Sequence, residues 1–253
     1  IKNNCLGEDK MFKKLIFGLS LFVTLLFGAT FEDGLNAYNK GDLKTAFSIF
    51  EDFAKNGNKN AQAVIGDMYS DGEGVEQNYF RAYEWYEKAA NQGYALAQNK
   101  LGLMYENGEG VKQDFLKAKE WYEKAANQGD VMAQRNLGHM YYFVKGIKQD
   151  YFKAKEWYEK AANKGDEVSQ HNLGLMYDNG QGVRQDYKKA FEWYEKAAVQ
   201  GNAMAQNKLG ILYDEGEGVK QNKRKAKEYF GKACDGGDQN GCHNYKILNQ
   251  QGY

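Results

Sequence analysis

A tryptophan returns every 36 residues, at Trp85, Trp121, Trp157 and Trp193, each time inside a version of EWYEKAA. Gly66, Gly102, Gly138, Gly174 and Gly210 keep the same period, mostly within LGLMY-like segments. A fixed period in this range marks an array whose units pack only on their neighbours, and 36 residues leave room for two helices. The expected fold class is therefore all-α, an α-solenoid of antiparallel helix-pair repeats.

The second helix of each unit should open at Asn78, Asp114, Asp150, Asp186 and Asn222, whose side chains can accept from the first free backbone amides. It should close before Gly93, Gly129, Gly165, Gly201 and Gly237, where a left-handed residue is needed. Between those caps Ala118, Trp121, Tyr122 and Ala125 share one helical face. That face is expected to be core, and truncating such a Trp to Ala to cost about 3–5 kcal/mol. The first helix reads A-Q-x-x-L-G-x-M-Y, as in Ala97, Gln98, Leu101, Gly102, Met104 and Tyr105. A glycine in mid-helix costs about 1 kcal/mol against Ala, so its recurrence implies that another helix approaches closely there. DGEGV, NGEGV, NGQGV and EGEGV at residues 71–75, 107–111, 179–183 and 215–219 are expected to be capping turns. As phosphate loops they would lack the strand-to-helix context.

The 253 residues include no proline, which suits uninterrupted helices, while 19 Tyr and 14 Phe exclude a disordered chain. Lys plus Arg equals Asp plus Glu at 34 each, which disfavours nucleic acid as a partner. No basic amphipathic stretch suits a membrane surface.

From Met11, MFKKLIFGLSLFVTLLFGATF has the lysines, apolar run and small residues of a secretory signal peptide over residues 11–29, with cleavage near Ala29. A membrane anchor is the alternative, since Phe27 is a poor residue three before the cut. The run from Leu15 to Phe27 is nevertheless short for a span of about 20 residues. Residues 1–10, including Cys5, read as an upstream segment. The expected location is secreted or periplasmic, without stable membrane insertion after cleavage.

The pattern AQ..LG.MY..G.GV.QD...A..WYEKAA..G resembles the Sel-1-like repeat, a relative of the tetratricopeptide repeat, over about residues 31–249. The resemblance implies a right-handed superhelix over residues 30–253, with about six helix pairs and a C-terminal capping helix. The first copy, residues 34–57, has a loop four residues shorter, is closer to a tetratricopeptide, and reads as the amino-terminal cap. Cys234 and Cys242, in a C-x7-C arrangement, resemble the cysteine-rich secreted branch of the family. That likeness implies a disulfide from the second helix of the last repeat to the first helix beyond it, worth about 2–3 kcal/mol. Members of that branch are described as penicillin-binding proteins or β-lactamases, so β-lactam binding or hydrolysis is the rival function.

In tetratricopeptide relatives the first helices line a concave surface that holds the ligand. Carried over, the variable inward positions are Leu96, Asn99, Leu103 and Glu106; Met132, Arg135, His139, Tyr142 and Phe143; Val168, His171, Leu175 and Asp178; and Met204, Asn207, Ile211 and Asp214. Such a mixture suits a protein or peptide partner, a cell-envelope component among the candidates. The copy at residues 131–147 departs most, with GHMYYFVKGIKQD where neighbours have GLMYENGEGVKQD and Val144 in place of a glycine. Its Arg135, His139 and Tyr142 share one helical face, and Arg and aromatics are frequent hot spots.

No catalytic set is visible. None of the four serines, Ser20, Ser48, Ser70 and Ser169, begins S-x-x-K. His139, His171 and His243 stand in different repeats, so no metal site and no cofactor is expected. The carboxylates of EWYEK recur in every copy and read as a solvated face paired with Lys.

Overall fold

The computed structural model describes residues 28–143 and 146–253; the expected signal peptide through residue 27, Cys5 and Val144 lie outside the described residues. The described residues contain thirteen helices, no strand, and no helix long and apolar enough to cross a membrane. They fall into two compact units, divided after Gln92.

The first unit holds α1 (Phe31–Asn39), α2 (Leu43–Lys55), α3 (Lys59–Asp71) and α4 (Tyr79–Asn91). Thr30 caps α1 in a capping box with Asp33. Residues 40–42 join α1 to α2, whereas residues 72–78 join α3 to α4, so the first connection is the shorter one, as expected.

The second unit holds α5 (Ala95–Asn107), α6 (Phe115–Asn127), α7 (Val131–Phe143), α8 (Tyr151–Ala162), α9 (Glu167–Asn179), α10 (Tyr187–Val199), α11 (Ala203–Glu215), α12 (Lys223–Asp235) and α13 (Gln239–Gln250). Helices α5 to α12 form four hairpins, and α13 lies against α11 and α12. The expected N-caps are in place. Asp114 accepts from Leu116 and Lys117, Asp150 from Lys153, Asp186 from Lys189 and Asn222 from Lys225. The expected turns are also capping turns, with left-handed Gly108, Gly180 and Gly216 ending α5, α9 and α11.

The mid-helix glycines pack against aromatic rings. A Cβ on Gly102, Gly138, Gly174 or Gly210 would sit 2.4–2.5 Å from the ring of Tyr122, Tyr158, Tyr194 or Phe230 on the paired helix. Gly66 stands in the same relation to Tyr86 in the first unit. These rings are the large members of the core, with Tyr86, Tyr122, Tyr158 and Tyr194 essentially inaccessible.

The tryptophans do not form the core as expected. Trp85, Trp121, Trp157 and Trp193 are half-buried, each with the lysine three residues on over its ring at 3.7–3.9 Å. In WY, helical rotation turns the tyrosine onto the glycine of the partner helix and leaves the indole near the surface, where a cation can cover it. The carboxylates of EWYEK are surface groups, as expected: Glu123 pairs with Lys119 and Glu159 with Lys155.

Glutamines stitch successive hairpins. Gln134, Gln170 and Gln206 donate Nε2 to the carbonyls of Ala126, Ala162 and Ala198, each eight residues earlier, at 3.0–3.1 Å. At the next junction those two positions are Cys242 and Cys234, and they form the disulfide that the resemblance implied. A covalent bond there replaces the glutamine stitch and ties α13 to α12.

Candidate functional site

Two rows emerge on the first helices of the second unit. The outer row is apolar: Leu96, Met132 and Met204 are exposed and Val168 is half-buried. The inner row is polar, and the structure corrects three of its expected members. Asn99, His171 and Asn207 are 3, 5 and 8% exposed, so they are core rather than contact residues. Each faces the next repeat, and Asn99 Oδ1 accepts from Asn136, as Asn207 Oδ1 accepts from Asn244, both at 3.1 Å. A spacing of 37 residues puts a side chain beside its neighbour one repeat on, which a helical wheel of one repeat does not show.

Between those terminal amide pairs the inner row becomes ionic. Arg135 Nη1 lies 3.0 Å from Asp166 Oδ2, the carboxylate whose other oxygen caps α9 at Ser169 N. His171 has no hydrogen-bond partner at Nδ1. Burial, reinforced by Lys208, lowers its pKa to about 4 against a smaller opposing pull from Asp238, which keeps the imidazole neutral at pH 7.

Arg135, His139 and Tyr142 are brought to one half-buried patch, flanked by exposed Met132 and Phe143. Their rings are packed: His139 and Phe143 have centroids 4.4 Å apart, Tyr142 and Phe143 4.6 Å, and Tyr142 and Tyr158 6.4 Å. The Tyr142 hydroxyl donates to Gln181 Oε1. Among the described residues no group of three or more His, Cys, Asp or Glu converges as a metal site would.

One pairing was missed from sequence, although Glu106 and Asp178 were among the expected inward positions. Each buried tyrosine of the second helix ordinarily donates to an acid on its paired first helix: Tyr86 to Asp67 at 2.7 Å, Tyr122 to Glu106 at 2.7 Å and Tyr194 to Asp178 at 3.0 Å. Those acids follow the helix glycine by one or four residues, hence on one face. The signal was the acid's recurrence beside the glycine.

A family model of the Sel1 repeat matches residues 59–94, 95–130, 131–166, 168–202 and 203–238. The chain belongs to the Sel1 repeat family. A Sel1 repeat protein from Oxalobacter formigenes is 33% identical, with a TM-score of 0.77 over 86% of each chain. A protective antigen present in uropathogenic Escherichia coli strains is 38% identical, with a TM-score of 0.79 over 81% of this chain. This chain spans 44% of that antigen's length. A putative Sel1 repeat protein from Klebsiella pneumoniae, 24% identical with a TM-score of 0.51 over 80% of this chain and 99% of its own, shares the fold. No curated protein matches.

Proposed function

We propose that this Sel1 repeat chain is an exported scaffold that holds an extended protein or peptide segment along the first-helix face of residues 93–253. The supporting observation is the pairing of an accessible apolar row, Leu96, Met132 and Met204, with the half-buried Arg135, His139 and Tyr142 beside it. Apolar anchors next to arginine and aromatics are the composition of protein contact surfaces. Stacked repeats offer them to a partner long enough to cross several units. The segment from Met11 to Ala29 and the Cys234–Cys242 disulfide both favour an oxidising compartment outside the cytoplasm.

A photo-crosslinking residue placed at Met132 or Met204 tests the binding face, with Phe152 on the turn edge as the control site. Adducts with the same partner from the first two positions and none from the third are expected in cells of the source. Equal labelling from all three positions would remove the face from consideration. Export is tested by amino-terminal sequencing of the mature chain, which should begin near Thr30.

A further inference from the structure

The α7–α8 hairpin lacks the acid that its buried phenol requires. The two first-helix positions that supply a carboxylate in other repeats, as Asp67 or as Glu106 and Asp178, hold His139 and Tyr142 here. Tyr158 is fully buried like its counterparts, yet its hydroxyl has no hydrogen-bond partner. A buried hydroxyl without an acceptor is a standing destabilisation that packing alone does not remove.

Another buried hydroxyl, Ser169 Oγ, is also unpaired, but it belongs to α9, outside this hairpin. Gln134 Oε1 and Gln206 Oε1 are acceptors, left over because Lys164 and Gly236 stand where Gln128 and Gln200 reach the preceding glutamine. Tyr158 is a donor, and two charged side chains act on it electrostatically, the Asp166 carboxylate and, more weakly and in the opposite sense, the Arg135 guanidinium. That guanidinium occupies the place of Asn99 and Asn207 and commits Nη1 to Asp166. Asp166 is in turn shared with the α9 amino terminus, so its charge is divided between two donors. A phenolic O–H and the remaining guanidinium N–H groups together make a donor set without an acceptor, which is carboxylate chemistry.

We propose that this niche binds a carboxylate supplied by another molecule: an Asp or Glu side chain, or the terminal carboxylate, of a peptide lying along the first-helix face. The inference rests on the peptide-binding function above and gives that partner its charge. The incoming group takes the position that Glu106 and Asp178 occupy in their own hairpins and accepts from Tyr158 and Arg135. Tyr142 is the cover. Its half-buried side chain is held by one hydrogen bond to Gln181 and by ring contacts with Phe143, Tyr151 and Tyr158, and the incoming carboxylate has to displace these as the ring turns aside.

The test selects displayed random decapeptides on the full chain. Binding of the selected peptides is then measured to the native chain, Tyr158→Phe, Arg135→Gln and Tyr142→Glu, each also made with Asn or Gln for its acids and with an amidated terminus. Selected peptides should share one acidic group. Neutralising it, or removing the phenolic oxygen by Tyr158→Phe, should weaken binding about tenfold. Loss on amidation alone would assign the terminal carboxylate, and loss on Asp or Glu replacement a side chain. Tyr142→Glu returns the missing acid from within, so it should compete with the peptide while raising the melting temperature. Tight peptides with no acidic preference, or affinity untouched by Tyr158→Phe and Tyr142→Glu, would overturn the carboxylate niche and leave peptide binding standing. No peptide retained by the native chain would overturn both.

Discussion

Asp178 Oδ2 accepts the Tyr194 hydroxyl at 3.0 Å, and the same oxygen holds Lys208 Nζ of the next repeat at 3.1 Å. One carboxylate therefore serves the core of its own hairpin and the junction with the following one. Burial, and then Asp178 itself, push the Tyr194 phenol well above the usual range, so it stays a donor at any physiological pH. Tyr122 is raised in the same way, by burial and then Glu106.

This arrangement separates three otherwise similar substitutions. Tyr122→Phe and Tyr194→Phe remove a hydrogen bond to a charged acceptor and should each cost about 1.5–3 kcal/mol. Tyr158→Phe removes a hydroxyl with no partner and should leave stability unchanged or higher. Urea denaturation monitored by circular dichroism reads all three, and equal losses would mean that the Tyr158 hydroxyl is satisfied in solution.

The helix glycines give a second, sign-reversing case. Helix propensity alone favours Gly102→Ala by about 1 kcal/mol. The added methyl would stand 2.4 Å from the ring of Tyr122, which is fully buried, so ring or helix must shift to admit it. The expected net result is a loss of about 1–3 kcal/mol, read from the same denaturation curves. A gain in stability would show that the hairpin relaxes more easily than its packing implies.

What could be read from the chain divides along physical lines. Caps such as Asp114 and Gly108, the hairpin period and the close approach at Gly102 are local or periodic properties, and all were legible. The fate of WY was not, because Trp121 and Tyr122 are both apolar aromatics, and only the placement of Gly102 on the facing helix decides which ring is enclosed. The roles of Asn99, His171 and Asn207 were hidden for a related reason. Their burial is set by a neighbour 37 residues on, as with Asn136 over Asn99, while one repeat taken alone presents them as accessible positions on the concave surface. Arg135, His139 and Tyr142 stood out as departures from the pattern, but the consequence for Tyr158 needed the tyrosine–acid pairing of the other hairpins.

A third prediction follows from the glutamine stitches. Gln128 and Gln200 each donate to the glutamine 30 residues earlier, Gln98 and Gln170, at 2.7 and 2.8 Å. At the α7 junction the donor's place is taken by Lys164, which reaches the Gly129 carbonyl instead and leaves Gln134 Oε1 buried without a partner. Lys164→Gln should restore the bond and raise stability by about 1 kcal/mol. The same change in a Gln134→Leu background should give no gain, since the acceptor is gone; a gain in both would assign the effect to the lost lysine charge.

His171 supplies the pH dependence. Its folded pKa of about 4 lies below the unfolded value near 6.5, so between those limits the unfolded chain binds a proton that the folded chain refuses. The stabilising contribution is complete above pH 6.5 and is lost as pH falls toward 4, at up to about 1.4 kcal/mol per pH unit from this group. His171→Asn places there the residue found at Asn99 and Asn207, which accepts a hydrogen bond and does not titrate. Denaturation midpoints at pH 7.5, 5.5 and 4.5 should converge between variant and native chain at the highest pH and separate below it, with the variant more stable. Parallel pH profiles for the two chains would show that Asp238 or solvent compensates the imidazolium, and that His171 is not the group that limits stability in mild acid.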